Sequence, residues 1–357
     1  MGHSCGNLLG NADRVRLARQ AEPGGREHRV DNLAHTLAGA ALAEAGLKKK
    51  TGLGLATLMI AANLPDVDVI ALFFNENLAF RRGITHGPVG LLILPPILAL
   101  LMVQFDRWQT RRGKRPEGRH HVHFGWLVAL AYIGAISHPA LDWLNVYGVR
   151  LLAPFSDRWF YGDTLFIIDV WLWTMLTFGV VLSQRRARRG AANSQRPALI
   201  SIAAVSTYIV AMFALTIETE ARVEEQMNAR GFQVEAVAAG PPPINPFVRE
   251  FFFKGRWSAA GEGHVGGGEA DLFTPNLIER WVKPYPDNLE RLNVAEAAER
   301  SKPLGDFMFW ARFPYAKLDG DTLVVTDARY AGAPNDGVFT VRVPAVPDAG
   351  SEAQPDR

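Results

Sequence analysis

Apolar residues are unevenly distributed along this chain. They crowd into long windows between about Leu53 and Ile217, divided by short polar loops, and the C-terminal third returns to the mixed pattern of a water-facing domain. Crossing a bilayer core takes about 20 mostly apolar helical residues. The windows Leu53–Phe74, Pro88–Phe105, Phe124–Leu144, Leu165–Ser183 and Ala198–Ile217 approach that length, and the shorter Leu33–Leu47 is a candidate sixth. The pattern predicts a mainly α fold: a polytopic transmembrane helix bundle of about five to six spans within residues 30–220, followed by a small α+β C-terminal domain.

Past Ile217 a polar helical stretch runs to about Arg230, and Pro241-Pro242-Pro243 with Asn245-Pro246 makes a stiff spacer. Residues 221–246 are therefore a helical and Pro-rich connector. β-branched and aromatic residues at Phe307–Phe313, Thr322–Thr326 and Val338–Val343, bounded by turn residues, predict strands, and Asn288–Arg300 predicts a helix. These place the α+β domain at 247–345, with a disordered tail at 346–357. The run Gly266-Gly267-Gly268 has no phosphate-loop context and is expected in a loop.

Charge sets the orientation, because Lys and Arg near span ends stay in the cytoplasm. Two loops are strongly basic, one with Arg107, Arg111, Arg112, Lys114, Arg115 and Arg119, the other with Arg185, Arg186, Arg188, Arg189 and Arg196. With Lys48, Lys49 and Lys50 also inside, alternation puts residues 74–87, 145–164 and everything after Ile217 outside. Residues 1–29 break the scheme, since Arg14, Arg16, Arg19, Arg26 and Arg29 would fall outside. Either the first segment does not cross, or 1–29 is a non-native or disordered basic extension and Val30 is the true start. The formal net charge of +2 gives no indication of a nucleic-acid partner. Cys5 is the only cysteine, so any metal must rest on His and carboxylate groups.

A charge at mid-membrane costs roughly 2.5–3.5 kcal/mol on insertion scales, so ionisable groups in these windows call for a partner or a task. Asp66 and Asp68 interrupt the first window beside Pro65, as two carboxylates facing one point or as the acidic first turn of a helix capped by Asn63. His86 precedes the second window, and Arg82 lies four residues earlier. His138 and Asp142, four apart, share one helix face, a spacing that suits a shared cation or a structural His–Asp hydrogen bond. His35 has Gly39 one turn below, which leaves room for a close helix approach. Asp163 and Asp169 bracket the start of another window, the first as a helix-entrance carboxylate, the second as a ligand or the support of one. Under the charge-derived topology His35, Asp66, Asp68, His86, His138, Asp142 and Asp169 all fall toward the outer half of the membrane. His120, His121 and His123 fall at the cytoplasmic side among basic residues, which repel cations, so they are not a second site.

At these residues the chain resembles the membrane-bound metal-dependent hydrolases of the LexA-binding, inner-membrane-associated type. The likeness rests on Asp31-Asn32-Leu33-Ala34-His35, Pro65-Asp66-Val67-Asp68, Arg82-Gly83-Ile84-Thr85-His86, Ser137-His138-Pro139-Ala140-Leu141-Asp142, Tyr147-Gly148, Pro154-Phe155-Ser156 and Phe166-Ile167-Ile168-Asp169. It covers roughly Val30–Ser183, and Gly87 and Val170 depart from it where Ser and Pro are common. The order of His and Asp residues is also similar, more distantly, to zinc-dependent phospholipases C. The resemblance implies a divalent metal, with zinc ahead of Mn or Mg, held by His35, Asp66, His86, His138 and Asp142. Asp68 is then the candidate base, Arg82 the candidate phosphate partner, and Asp169 and Asp163 the carboxylates behind the ligands. The implied activity is hydrolysis of a phosphoester or lipid-linked substrate at the outer face of the bacterial inner membrane, with the C-terminal domain outside. A transporter, or a metal-binding sensor or anchor without hydrolytic activity, is the alternative.

Overall fold

The computed structural model describes residues 27–74, 81–259, 261–271, 280–281, 284–331 and 339–345. Most of the expected basic extension, residues 1–26, lies outside the described residues, as do Val338 and the tail 346–357. The α1 helix (Glu27–Glu44) begins before Val30. It packs on α2 (Gly54–Ala61) and on α5 (Val170–Arg188). In turn α2 packs on α4 (Phe124–Trp143), α4 on α3 (Pro88–Arg111), and α5 on α6 (Arg196–Ala229).

Small residues let these helices touch closely. A Cβ on Gly39 would stand 2.6 Å from the Leu58 carbonyl oxygen, and one on Gly134 2.7 Å from the Ala61 Cβ. Both α1 and α4 therefore press on α2 through bare backbone, as small residues allow at membrane helix interfaces. The room predicted beside Gly39 is used in this way, and the contact brings His35 of α1 and His138 of α4 to the same end of the bundle.

Three helices among the described residues are long and apolar enough to cross a membrane, namely α3, α4 and α6, rather than five or six. The α3 helix leaves Leu92, Ile93, Ile97, Leu100, Leu101 and Phe105 exposed, an apolar belt that suits lipid. The window Leu53–Phe74 is not one span. Its α-helix has 8 residues, stops before Pro65, and gives way to a 3₁₀ segment over Pro65–Phe74. Proline disfavours the helical conformation of the residue before it and lacks a backbone donor, which accounts for the break. The Leu165–Ser183 window becomes helical only at Val170, and the helix ends on Arg185, Arg186 and Arg188. Its neighbour α6 lies close, because a Cβ on Gly179 would meet that of Ser201 at 2.4 Å and the Ser201 hydroxyl donates to the Met175 carbonyl at 2.7 Å.

The predicted polar extension of the last span is present, since α6 runs unbroken to Ala229. The connector is shorter than expected, because strand β1 (Phe232–Gly240) starts inside it and ends at the proline run. β1 pairs antiparallel with β2 (Val248–Trp257), and β2 with β3 (Gly263–Asp271). Short β4 (Arg280–Trp281) and β5 (Tyr285–Pro286) both pair with β3. Gly266, Gly267 and Gly268 thus lie in a strand rather than a loop. A Cβ on Gly266 would strike the Phe253 ring at 2.8 Å and one on Gly267 the Phe251 carbonyl at 2.7 Å, so aromatic neighbours fill the space the glycines leave.

Helices α7 (Val294–Arg300) and α8 (Lys302–Trp310) follow. The expected strand at Phe307–Phe313 is instead mostly α8, whose Leu304, Phe307 and Trp310 recur at helical spacing and are buried together. Of the helix expected over Asn288–Arg300 only the second half forms, after left-handed residues at Asn288 and Asn293. The antiparallel sheet β6 (Pro314–Asp319), β7 (Thr322–Asp327) and β8 (Thr340–Pro344) agrees with the predicted strands at Thr322–Thr326 and near Val343.

A buried ion pair fixes this domain on the bundle. Asp327 Oδ1 accepts from Arg329 Nε at 3.0 Å, Oδ2 accepts from Arg329 Nη2 at 2.9 Å and from the Arg312 backbone at 2.7 Å, and Arg329 Nη1 reaches the Val146 carbonyl at 2.6 Å. Burial alone pushes the Asp327 carboxyl up, but the Arg329 guanidinium and these hydrogen bonds override it and hold the carboxyl below its usual value. A depressed folded-state pKa contributes stability that is present above the unfolded value and is lost as pH falls through the folded one. Replacing Asp327 by Asn strands the Arg329 charge and should cost about 3–5 kcal/mol. Thermal melts in detergent should show a lower transition for Asp327→Asn at pH 7, with the gap to wild type closing as pH drops below the carboxylate range; a constant gap would contradict this assignment.

Candidate metal centre

Five polar side chains from four separate segments meet where α3 begins and α4 ends. His35 comes from α1, Asp66 from the 3₁₀ segment, His86 from the turn before α3, and His138 and Asp142 from the last turns of α4. All but Asp66 are fully or almost fully buried; the Asp66 side chain keeps 16 % of its surface open and forms the accessible edge. The 24 residues of α3 span about 36 Å at 1.5 Å per residue, so the site and the basic loop after Arg111 lie at opposite ends of that helix.

Hydrogen bonds fix which imidazole nitrogens face inward. His138 Nδ1 lies 2.7 Å from the Ala62 carbonyl oxygen, which can only accept, so Nδ1 carries a proton and Nε2 is the nitrogen turned to the cluster. His86 Nδ1 faces the Thr85 hydroxyl at 3.1 Å and the Asp68 Oδ2 at 3.6 Å, which favours the same tautomer. The two Nε2 atoms are 3.1 Å apart. Asp66 Oδ1 is 3.7 Å from His86 Nε2 and 3.5 Å from His138 Nε2, and Asp142 Oδ2 is 3.3 and 3.5 Å from the same two atoms.

A tetrahedral ion about 2.0–2.1 Å from each donor separates its donors by about 3.3–3.4 Å. Five of the six distances among His86 Nε2, His138 Nε2, Asp66 Oδ1 and Asp142 Oδ2, all those that involve an imidazole, bracket that edge length. A proton shared between the imidazoles would satisfy two of these atoms and leave the carboxylates facing them without a partner. A divalent cation would satisfy Asp66, His86 and His138 together, with Asp142 Oδ2 beside the same two imidazoles. Neither Asp142 oxygen accepts a well-formed hydrogen bond among the described residues, although both are buried, and a buried anionic acceptor of that kind suits a metal. The residues present therefore fit a divalent ion with a mixed nitrogen and oxygen shell.

His35 joins from the side, its ring stacked on His138 at 3.8 Å between centroids and its Nε2 3.4 Å from Asp142 Oδ1. It groups with His138 and Asp142, while Asp66, His86 and His138 form a second overlapping set. Arg82 Nη2 also stands 3.2 Å from Asp142 Oδ1. A guanidinium on that oxygen opposes a second cation there, so the geometry favours one ion, bounded by Asp142 Oδ2.

The remaining predicted residues take other places. Asp68 is behind His86 rather than facing the four donors, and its Oδ2 accepts the Arg82 backbone N–H at 2.8 Å. Its position is that of an orienter of His86 more than of a base. The Arg82 side chain is turned inward onto Asp142, onto the Asn145 Oδ1 at 3.0 Å and onto the Gly148 carbonyl at 3.2 Å, not toward an approaching phosphate. Asp169 caps α5, accepting from the Leu172 backbone at 2.8 Å and the Tyr208 hydroxyl at 2.9 Å, and lines with His35 and Asp142 a small cleft of about 30 Å³. Asp163 lies away from the ligands and binds Arg312 at 2.6 Å. The His121 and His123 rings meet near the opposite end of α4.

Three supports were not anticipated as such. Thr85 supplies the hydroxyl beside His86, and Gly87 admits no side chain, because a Cβ there would lie 2.2 Å from the Ala153 carbonyl oxygen. Asn145, just past the α4 terminus, accepts from the Tyr147 backbone at 2.9 Å and so presents its oxygen to Arg82. An Asn that bonds its own backbone two residues on is a turn signal visible in sequence, but its link to Arg82, 63 residues away, is not.

The model of the YdjM inner membrane protein family matches residues 30–217, just over half of the chain. The chain belongs to this family. No match was found among curated proteins or among solved structures. In this YdjM family member every candidate ligand lies inside the matched segment, and the strand-rich C-terminal domain lies beyond it.

Elemental analysis of the detergent-purified protein should find close to one equivalent of a divalent metal in wild type and little in His138→Ala. The same small metal content in both proteins would remove the case for a centre.

Proposed function

We propose that this YdjM family member is a metal-dependent hydrolase of the bacterial inner membrane, acting at the outer face on a phosphoester or lipid-linked substrate. The observation that carries the proposal is the four-donor cluster of His86, His138, Asp66 and Asp142, buried except along the Asp66 edge. A divalent ion bound there, zinc being best suited to the donors, would lower the pKa of a water and polarise the bond to be cleaved. Asp68 and Thr85 hold the His86 ring, the Ala62 carbonyl holds His138, and Arg82 holds Asp142, so the chain keeps the donors in place with hydrogen bonds of its own.

Two features support a substrate drawn from the membrane. The site lies at the end of α3 and α4 away from the basic loops, which the positive-inside rule assigns to the cytoplasm. On that topology the chain is multi-pass and its C-terminal domain is extracytoplasmic. Exposed apolar residues also flank the opening: Val67 and Val69 on either side of Asp68, Ile84 two residues before His86, and Leu152 and Phe155 around Ala153, whose carbonyl abuts Gly87. Apolar surface beside a polar cleft suits an acyl chain next to a charged head group.

The transporter alternative needs polar residues leading on from the site toward the basic loops. Leu58, Leu127, Leu130 and Ala131 pack there without exposure, and the Thr57 hydroxyl beside them is spent on the Leu53 carbonyl, which favours a closed-ended reaction site.

Phosphomonoester and phosphodiester lipids in mixed micelles, with a carboxylic ester lipid beside them, test the proposal. With zinc present, wild type should release phosphate or a phosphorylated head group, and Asp66→Asn should lose more than about 100-fold, beyond the effect of a merely supporting residue. Turnover that survives both chelation and Asp66→Asn would rule out metal-dependent hydrolysis at this site.

A further inference from the structure

The C-terminal domain is outside the matched family segment, yet a residue of that segment sits in its core. Tyr147 is buried with Leu304, Phe307, Trp310, Leu323 and Phe339. Its ring centroid is 5.0 Å from that of Trp310 and 6.2 Å from that of Phe339, and its carbonyl accepts from Trp310 Nε1 at 3.2 Å. Arg329 Nη1 grips the preceding carbonyl, that of Val146. The domain therefore encloses the loop after α4 by aromatic packing and by two hydrogen bonds.

The same Tyr147 ring carries the Arg82 guanidinium, 4.7 Å from its centroid. Arg82 places one nitrogen on Asn145 and Gly148 and the other on Asp142 Oδ1. Asn145 is tied to the loop through the backbone N–H groups of Tyr147 and Gly148. A guanidinium held this way has its position set on three sides: by a ring face, by two loop acceptors and by a carboxylate. Asp142 is the residue whose other oxygen faces His86 and His138.

We infer that Tyr147 is a positioning residue through which the docked C-terminal domain holds Arg82 against Asp142 and so sets the metal affinity of the centre. The inference rests on the metal-centre reading. The physical link is the orientation of one carboxylate: Oδ1 is occupied by Arg82, which leaves Oδ2 turned to the imidazoles. Without the ring Arg82 loses a desolvated stacking partner, and Asp142 loses the contact that fixes its rotation.

Zinc affinity of the full-length protein in detergent, read by competition with a chromophoric chelator, tests this without any substrate. Tyr147→Ala and Arg82→Gln should each weaken zinc binding by about 10–100-fold, while Tyr147→Phe, which keeps the ring, should stay near wild type. The double variant should bind no worse than Arg82→Gln alone, because both substitutions break one link. Should alanine unfold the domain, Tyr147→Leu fills the core without a π face and carries the same expectation. Unchanged affinity in a folded Tyr147→Ala or Tyr147→Leu, or losses that simply add in the double variant, would overturn the inference. A wild type that binds zinc no better than His138→Ala would instead strike at the metal centre itself.

Discussion

Two imidazole nitrogens 3.1 Å apart, one of them with its tautomer fixed by a backbone carbonyl, set the constraint on which the rest of the structure depends. A proton between the two nitrogens accounts for that approach but not for the carboxylates of Asp66 and Asp142 that flank it, and a cation accounts for both. A bundle that gathers such groups incurs a desolvation cost that packing alone does not return. The small residues at the helix contacts make the gathering possible. Gly39 and Gly134 bring α1 and α4 onto α2, and Gly87 lets the His86 turn lie against Ala153. The glycines and the ligands belong to one arrangement, since a side chain at any of the three would displace a histidine from the cluster.

The site was legible in the sequence to the extent that its chemistry is expensive. His35, Asp66, His86, His138 and Asp142 stand out because carboxylates and imidazoles within apolar windows require a reason, and the structure places all five together. The i, i+4 spacing of His138 and Asp142 gave their shared face directly. What the sequence could not supply was direction. Asp68 and Asp66 are two residues apart, as ligands on an extended strand would be, but the 3₁₀ path after Pro65 points Asp66 to the imidazole Nε2 atoms and Asp68 to the back of His86. Arg82 looked available for a substrate because nothing in its neighbourhood of the chain reveals that Asn145 and Gly148 await it. Asp169 reads in isolation as a buried anomaly, whereas its oxygens are taken up by a helix terminus and by Tyr208.

The fold was less legible where hydrophobicity alone had to separate a spanning helix from a buried one. Residues 53–74 are mostly apolar, yet Pro65 and the two aspartates divide them, and the segment forms a short helix and a 3₁₀ stretch that carries Asp66 to the site instead of one continuous helix. The Phe307–Phe313 stretch shows the same ambiguity in the C-terminal domain: aromatic residues there follow the 3.6-residue period of α8 as well as they fit a strand. Gly266-Gly267-Gly268 has the composition of a loop, and the rings of Phe252 and Phe253 with the Phe251 carbonyl on the neighbouring strand explain why glycine suits a sheet at that point.

The relation between the two halves of the molecule follows from the same economy. The C-terminal domain is fastened to the loop that also carries Asn145 and Tyr147. Arg312 on Asp163 and Arg329 on Val146 secure that loop at both ends. The charges that fasten the domain are therefore separate from those that form the centre, and Arg82 is where the two sets meet. A single guanidinium shared between an aromatic core and the Asp142 carboxylate makes the domain part of the site's architecture, although the matched family segment ends before it begins.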